Sequence, residues 1–185
     1  MRIIFDTARL IVRAYTTLDQ ENFYRLNSDP EVVRFIRPVK TRKECEEFLK
    51  EVMEAAALTP SYGRWAVEEK SSGEFIGSFA LIPVENTWHY QLGYALLTHH
   101  WGKGYATELT LSALNYIFRQ TELPLVYGYT ELPNTGSRQV LVKAGFRFNG
   151  QKPERDKILA EYVMEKEWYL QTEEARDKLF KKMEF

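Results

Sequence analysis

A Gly-Lys-Gly turn is the feature that most constrains the fold of this 185-residue chain. The residues before it, Trp88–Leu97, alternate as in a strand, and those after it, to about Arg119, place apolar side chains at helical spacing. Glycines between a strand and a helix let the backbone turn tightly and direct N–H groups at one point, where the helix N-terminus adds partial positive charge. The segment Trp101–Ala106 therefore predicts either a pyrophosphate-binding loop or an ordinary tight turn, and spacing alone leaves both open.

Two common phosphate-binding motifs are excluded at this loop. No Gly-Lys-Ser/Thr ending follows at the spacing of a P-loop, and the six-residue dinucleotide fingerprint is not satisfied. Lys103 can still add a point charge toward a bound anion.

The rest of the chain predicts one α+β domain with a mixed, mostly antiparallel sheet of six to seven strands and about four helices. Strands are expected at residues 8–15, Trp65–Lys70, Phe75–Pro83, Trp88–Leu97, Leu125–Thr130, Phe146–Gly150 and Ile158–Trp168. Helices are expected to begin at Thr17, to span Thr41–Leu58, to run from the glycine turn to Arg119, and to span Thr135–Ala144. Without repeats or a linker, residues 1–170 form the predicted domain, and residues 171–185 add a helical extension, read as a charged helix over Thr172–Met183.

Composition narrows the class of protein. The chain is 44% hydrophobic and 28% charged, as in ordinary globular proteins, and its net charge of −1 argues against direct nucleic-acid binding. No apolar run approaches the roughly 20 residues of a membrane span, and charge interrupts the N-terminus too early for a secretory signal. We therefore expect a cytoplasmic protein with no membrane partner.

Cysteine and histidine give no metal signature. The single cysteine, Cys45, excludes an internal disulfide, and His89, His99 and His100 have no carboxylate arrangement near them in the sequence. The sequence predicts no metal site.

A second polar segment precedes the predicted helix at Thr135. Asn134 is suited to be that helix's N-cap, with Ser137 in the first turn. The two side chains could instead present an amide and a hydroxyl at the rim of a cleft. Ser137 has no evident His/Asp partners, so a nucleophilic triad is not indicated.

Four segments, in this order, resemble the GNAT acetyltransferases, and more narrowly the branch similar to the RimJ/RimL ribosomal-protein N-terminal acetyltransferases. They are Thr7–Arg13, Ser28–Val32, Trp101–Glu108, and Asn134 with Ser137 and the ending Lys143–Phe146. The likeness extends from residue 7 to about residue 168. It implies the GNAT (acyl-CoA N-acyltransferase) fold, with the sheet splayed between its fourth and fifth predicted strands, and acetyl transfer from acetyl-CoA to a primary amine.

The resemblance also implies where the donor binds. Backbone N–H groups of the glycine loop would hold the pyrophosphate, with Trp101 where the wider superfamily has Gln or Arg. The end of the preceding strand would pair with the pantetheine amides, and Asn134 would hydrogen-bond the pantetheine arm. The implied donor-binding residues are Ala95, Leu96, Leu97, Trp101, Gly102, Lys103, Gly104, Tyr105, Ala106 and Asn134.

The catalytic residues implied by the resemblance are incomplete. Ser137 would be the general acid that protonates the departing thiolate. Related enzymes tend to carry Glu where this chain has Gln91, which cannot accept a proton. His89 lies two residues earlier, and histidine as a residue type suits a base because its reference pKa is near 6.5; Glu131 and Glu68 are further candidates. The base stays unassigned.

Several acceptors fit this interpretation. A protein or peptide N-terminal α-amine is favoured. The alternatives are a small amine (a polyamine, an amino acid or an antibiotic) or a non-catalytic acyl-CoA-binding module, which Gln91 would favour. We expect a monomer or a homodimer.

Overall fold

The computed structural model describes residues 2–173, which form one eight-stranded sheet with helices on both faces. The strands are β1 Ile3–Asp6, β2 Leu10–Arg13, β3 Gly63–Glu69, β4 Phe75–Pro83, β5 Tyr90–Leu96, β6 Leu125–Glu131, β7 Arg147–Glu154 and β8 Lys157–Glu165. They lie in the order β1-β2-β3-β4-β5-β6-β8-β7, and every neighbouring pair is antiparallel except β5 and β6. The predicted α+β class and mixed, mostly antiparallel sheet are confirmed.

Five α-helices are fully contained in the described residues. They are α1 Gln20–Ser28, α2 Pro30–Val33, α3 Arg42–Leu58, α4 Tyr105–Gln120 and α5 Thr135–Lys143. Short 3-10 helices lie at Thr17–Asp19 and Thr98–His100, and residues 166–173 are helical. No helix in this part of the chain is long and apolar enough to cross a bilayer.

The structure differs from the predicted elements in several places. Strand β2 covers only the middle of the predicted residues 8–15, and β7 continues to Glu154, beyond the predicted end at Gly150. Strand β1 was not predicted, because four residues are too few to show a periodicity. Strand β5 begins at Tyr90 rather than Trp88, since Val84 donates its N–H to the His89 carbonyl and closes a turn in which Trp88 is 97% exposed. The last strand ends at Glu165, and the chain continues as helix.

The predicted C-terminal helix over Thr172–Met183 falls mainly outside the described residues, which include only its first two positions. The division between residues 1–170 and 171–185 stays a prediction.

Two hydrophobic cores lie on opposite faces of the sheet. Along β3, Trp65 and Val67 belong to the core that packs against α4 and α5, whereas Ala66 belongs to the core beneath α1 and α3. This alternation is the period of two expected of a strand covered on both faces. We call the side of the sheet that α1 and α3 cover the α3 face.

Strands β5 and β6 separate toward their C-terminal ends. They pair only at Gln91↔Tyr127 and Leu92↔Gly128, whereas β5 stays paired with β4 as far as Leu96 and β6 with β8 as far as Glu131. A wedge therefore opens in the sheet beyond Leu92. The predicted splay between the fourth and fifth predicted strands, which are β5 and β6, is confirmed.

Candidate active site

The glycine loop lies beside the open end of β5 and begins helix α4. Gly102 and Gly104 have φ of +74° and +80°, in the left-handed region that favours glycine. Gly104 is the N-cap of α4 and offers no side chain to the N–H groups of the first turn. Those donors, with the positive end of a 16-residue helix, suit an anion.

A side chain that the sequence did not single out supports this loop. Arg9 donates from Nη1 to the Lys103 carbonyl oxygen at 3.1 Å and from Nε to Glu108 Oε2 at 2.6 Å. Its guanidinium also lies 4.4 Å from the centroid of the Tyr105 ring. Burial alone would raise the pKa of Glu108, but hydrogen bonds from Thr7 and Arg9 lower it, so the carboxylate stays charged. Arg9 thus connects the start of β2 to the loop and to the first turn of α4.

The end of β5 presents backbone groups to the wedge. The Leu97 N–H donates to the Ile76 carbonyl in β4 at 2.9 Å. In an antiparallel ladder, hydrogen-bonded residue pairs alternate with pairs that are not hydrogen-bonded. Every second residue before Leu97, namely Ala95 and Gly93, therefore also directs its N–H and C=O groups toward β4. Tyr94 and Leu96 therefore face the wedge.

Of the predicted pantetheine-pairing residues, the structure places Leu96 at the wedge, whereas Ala95 and Leu97 face β4. The Leu96 carbonyl accepts a hydrogen bond from Trp101 Nε1 at 2.7 Å, which holds the loop against the strand end. The sequence analysis did not include Tyr94, because sequence alone does not show toward which neighbouring strand the backbone groups of each residue are directed.

The wedge brings Ser137 and Tyr94 together. The Tyr94 hydroxyl donates to Ser137 Oγ at 3.4 Å, which is long for a bond between hydroxyls. Burial raises the pKa of Tyr94, so its hydroxyl stays protonated near neutral pH. In this geometry Tyr94 can return a proton to Ser137 after Ser137 has donated its own.

Asn134 caps α5, as one of its two interpretations predicted. Its Oδ1 accepts the Ser137 N–H at 3.1 Å, and this leaves the amide NH2 group free of partners within residues 2–173. The cap fixes the position of Ser137 and still leaves Asn134 a donor at the wedge.

The structure does not bring His89 to this site. The side chain is exposed, precedes β5, and packs its ring 5.3 Å from that of Tyr127. Four residues separate it from Gly93, about 13 Å along a strand. Gln91 is half-buried within β5, on the α3 face.

The two candidate carboxylate bases are already paired. Glu68 lies 2.5 Å from Arg13, which also binds the buried Asp19 at 2.6 Å. Glu131 lies 2.5 Å from Lys157. Neither is a free carboxylate at the wedge.

The sequence places no carboxylate arrangement near the histidines, but the folded chain brings one carboxylate next to two of them. The expectation is therefore wrong for His99 and His100. Glu74 Oε1 lies 3.2 Å from His99 Nε2 and 3.4 Å from His100 Nε2, beside the glycine loop. The bond from His99 is the main cause that lowers the pKa of Glu74, and burial lowers the pKa of His100. The contact joins residues 25 positions apart, which sequence spacing could not show.

Comparison with known proteins identifies the class. Residues 9–147 match the family described as "Acetyltransferase (GNAT) domain", and the chain belongs to that family. It is an acetyl-CoA-dependent acetyltransferase.

Individual proteins are similar to this chain in sequence or in fold. The chain is 27% identical over 161 residues to the Bacillus subtilis protein YkkB, covering 84% of this chain and 92% of that protein. Its fold is similar to that of spermidine N-acetyltransferase from Vibrio cholerae, with a TM-score of 0.73, 21% identity, and 87% and 98% of the two chains covered. It is equally similar to a Salmonella typhimurium acetyltransferase that modifies the N-terminal serine of a 50S ribosomal subunit protein, with a TM-score of 0.75, 14% identity, and 89% and 99% covered. At these identities the two structures share the fold alone.

Proposed function

We propose that the acceptor is an α-amine, and in the first place the N-terminus of a peptide or protein, as in the RimJ/RimL-like branch. The proposal rests on the candidate carboxylate bases. Glu68 and Glu131 are both ion-paired, and Gln91 occupies the position where related enzymes tend to carry Glu. With both of these carboxylates already paired, the site suits an amine that is already partly neutral.

An α-amine and a lysine ε-amine differ greatly in the fraction that is neutral at pH 7. An α-amine with a pKa near 8 is neutral in about one molecule in ten at pH 7, whereas a lysine ε-amine near 10.4 is neutral in about one in 2,500. The α-amine therefore needs far less help to lose its proton before it attacks.

The residues at the wedge fit acetyl-CoA. The first-turn N–H groups of α4, from Tyr105 onward, with those of Gly102 to Gly104, would hold the pyrophosphate, and Lys103 would add charge. Backbone groups of Tyr94 and Leu96, with the Asn134 amide, would hold the pantetheine arm. When bound, the coenzyme supplies an activated acetyl group as a thioester.

In the proposed transfer, the acceptor nitrogen bonds to the acetyl carbonyl carbon and the carbon–sulfur bond breaks. Backbone N–H groups at the open end of β5 stabilise the negative charge that develops on the carbonyl oxygen. Ser137 gives its hydroxyl proton to the departing thiolate and is reprotonated by Tyr94. The proton released by the amine leaves to water, and Tyr94 regains its own proton from water, so both hydroxyls are restored.

The test is a competition between amines. The protein is incubated with acetyl-CoA and an equimolar mixture of three acceptors: a peptide with a free N-terminus and no lysine, the same peptide N-terminally blocked with one added lysine, and spermidine. Mass spectrometry should find the first acetylated fastest by tenfold or more. Faster labelling of spermidine or of the lysine would overturn the α-amine proposal.

A further inference from the structure

Three cationic side chains surround one aromatic ring on the α3 face. The Cζ atoms of Arg37 and Arg64 each lie 5.6 Å from the centroid of Phe48, and Lys40 Nζ lies 5.2 Å from it. All four side chains are half-buried. They come from α3, β3 and the segment between α2 and α3, so the fold rather than local sequence assembles them. We call this group the Phe48 cation cluster.

Among the residues that the structure describes, the cluster has no counter-ion. Within residues 2–173, no carboxylate lies within 4.0 Å of Arg37, Lys40 or Arg64, and Arg37 Nε is buried without a hydrogen-bond partner. Other arginines of the chain do have carboxylate partners: Arg9, Arg13, Arg42 and Arg119.

Burial of an unpaired positive charge is unfavourable, and this cost lowers the pKa values of the two arginines. Burial, and then the charge of Arg64, lower the pKa of Arg37 to about 10, and burial lowers that of Arg64. A pKa of about 10 leaves Arg37 protonated at pH 7. A site that keeps such charges together without an anion is suited to receive one.

The cluster lies next to the open end of β5. Arg64 is paired with Ala80, and Ala80 with Gly93, in one row across β3, β4 and β5. Residues directly opposite each other share a face, so Arg64 and Gly93 both project to the α3 face. Two strand spacings separate them, about 10 Å. A Cβ placed on Gly93 would meet nothing within 4 Å, so this face is open at the wedge.

We propose that Arg37, Lys40 and Arg64 bind an anionic group, a carboxylate or a phosphate, carried by the acetyl acceptor. This rests on the proposed function, and it specifies the acceptor further. Guanidinium groups match carboxylate and phosphate oxygens with paired hydrogen bonds, and the Phe48 ring limits water on one side. About 10 Å corresponds to roughly three extended residues, which places the anion within the first three residues of a peptide acceptor. A polyamine would be repelled.

The experiment compares acceptors that differ only in charge. Three peptides share one sequence with an N-terminal serine and carry Asp-Asp, Asn-Asn or Lys-Lys at their second and third positions. We expect kcat/KM to be highest for the Asp-Asp peptide, by about tenfold over Asn-Asn, through KM. Free aspartate and O-phosphoserine, tested against asparagine and serine, show whether the anion comes from a small amino acid instead.

Two variants test the residues, and one serves as control. Arg64→Gln and Lys40→Gln should each remove most of the Asp-Asp advantage and leave the Asn-Asn rate within about twofold; either is sufficient if the other fails to fold. Arg34→Gln is the matched control, because Arg34 is exposed, pairs with Glu31 and lies outside the cluster. It should keep the full advantage.

The outcomes separate this inference from the proposed function. Equal rates on the three peptides, or an advantage that survives in both variants, would overturn the anion site while the α-amine function stands. If no α-amine is acetylated, the proposed function fails, and calorimetry of the Asp-Asp peptide on the wild type and Arg64→Gln decides the anion site. Saturable binding that the variant loses supports the site, and absence of binding to the wild type overturns it.

Discussion

Arg9 donates a hydrogen bond to the carbonyl oxygen of Lys103, 94 residues further along the chain. The same guanidinium binds Glu108 in helix α4, so one side chain holds both the glycine loop and the helix that follows it. If the loop binds acetyl-CoA as proposed, Arg9 is a positioning residue, because it would act on the donor through the backbone of the loop.

Arg9→Gln should therefore weaken acetyl-CoA binding without removing the chemistry. We expect KM for acetyl-CoA to rise about tenfold and kcat to fall by no more than about threefold, since the loop loses two supports and Ser137 is untouched. Arg42→Gln is a matched control, because its ion pair with Glu21 is exposed and distant from the loop. A selective fall in kcat would assign Arg9 a different role.

Ser137→Ala should lower kcat by about 100-fold with little change in the affinity for acetyl-CoA, because a general acid contributes roughly that factor or more. Tyr94→Phe should cost less, about three- to tenfold, because the hydroxyl acts through Ser137 at 3.4 Å. Single-turnover rates and acetyl-CoA titration measure the two effects separately.

The double variant provides the decisive check. If the two hydroxyls act in series, Ser137→Ala with Tyr94→Phe should be no slower than Ser137→Ala alone. Independent, multiplying losses would show that Tyr94 does not relay through Ser137.

Much of the fold was predictable because its signals are local. A glycine at position 73 favours the tight turn of the β3–β4 hairpin, and Thr41 with Glu44 forms a capping box at the start of α3. Gly145, with φ of +93°, ends α5 as expected of a left-handed C-cap. In each case the determining residues lie within a few positions of each other.

The parts of the site that were missed depend on contacts between distant residues. Arg9 reaches Lys103, Glu74 reaches His99, and Arg64 reaches Phe48 only after the sheet has formed. No periodicity or motif encodes these pairs. The likeness to the family supplied the glycine loop, Asn134 and Ser137, but it could not show that Glu68 and Glu131 are already paired.

Gly104→Val should abolish acetyl-CoA binding. Gly104 has φ of +80°, where a β-branched residue is strained, and an added Cβ would lie 3.5 Å from Arg9 Nη2. The loop would have to rearrange, so its N–H groups would no longer converge.

Gly73→Val separates this effect from strain in general. Gly73 has a similar φ of +70° in the β3–β4 turn, with nothing within 4 Å of an added Cβ. Both variants should lose stability, about 1–3 kcal/mol for a strained residue. Only Gly104→Val should lose binding in an acetyl-CoA titration, and retained binding would refute the loop assignment.

Asp19→Asn tests how the buried ion pair with Arg13 supports the α3 face. Asp19 is 2% exposed, and although burial alone raises the pKa of its carboxyl, hydrogen bonds from Arg13 and Thr16 lower it below its ordinary value. A carboxyl with a depressed folded pKa contributes stability that is present above its unfolded pKa, near 3.9, and is lost as pH falls through the lower folded value.

Removing the charge leaves Arg13 with Glu68 alone, so the variant should lose about 3 kcal/mol at pH 7. Urea unfolding should show this difference shrink as pH falls below about 4. Glu21→Gln, which breaks an exposed pair, should leave stability nearly unchanged at either pH. A loss in Asp19→Asn that is the same at pH 7 and pH 3 would mean that the carboxylate charge is not what stabilises this pair.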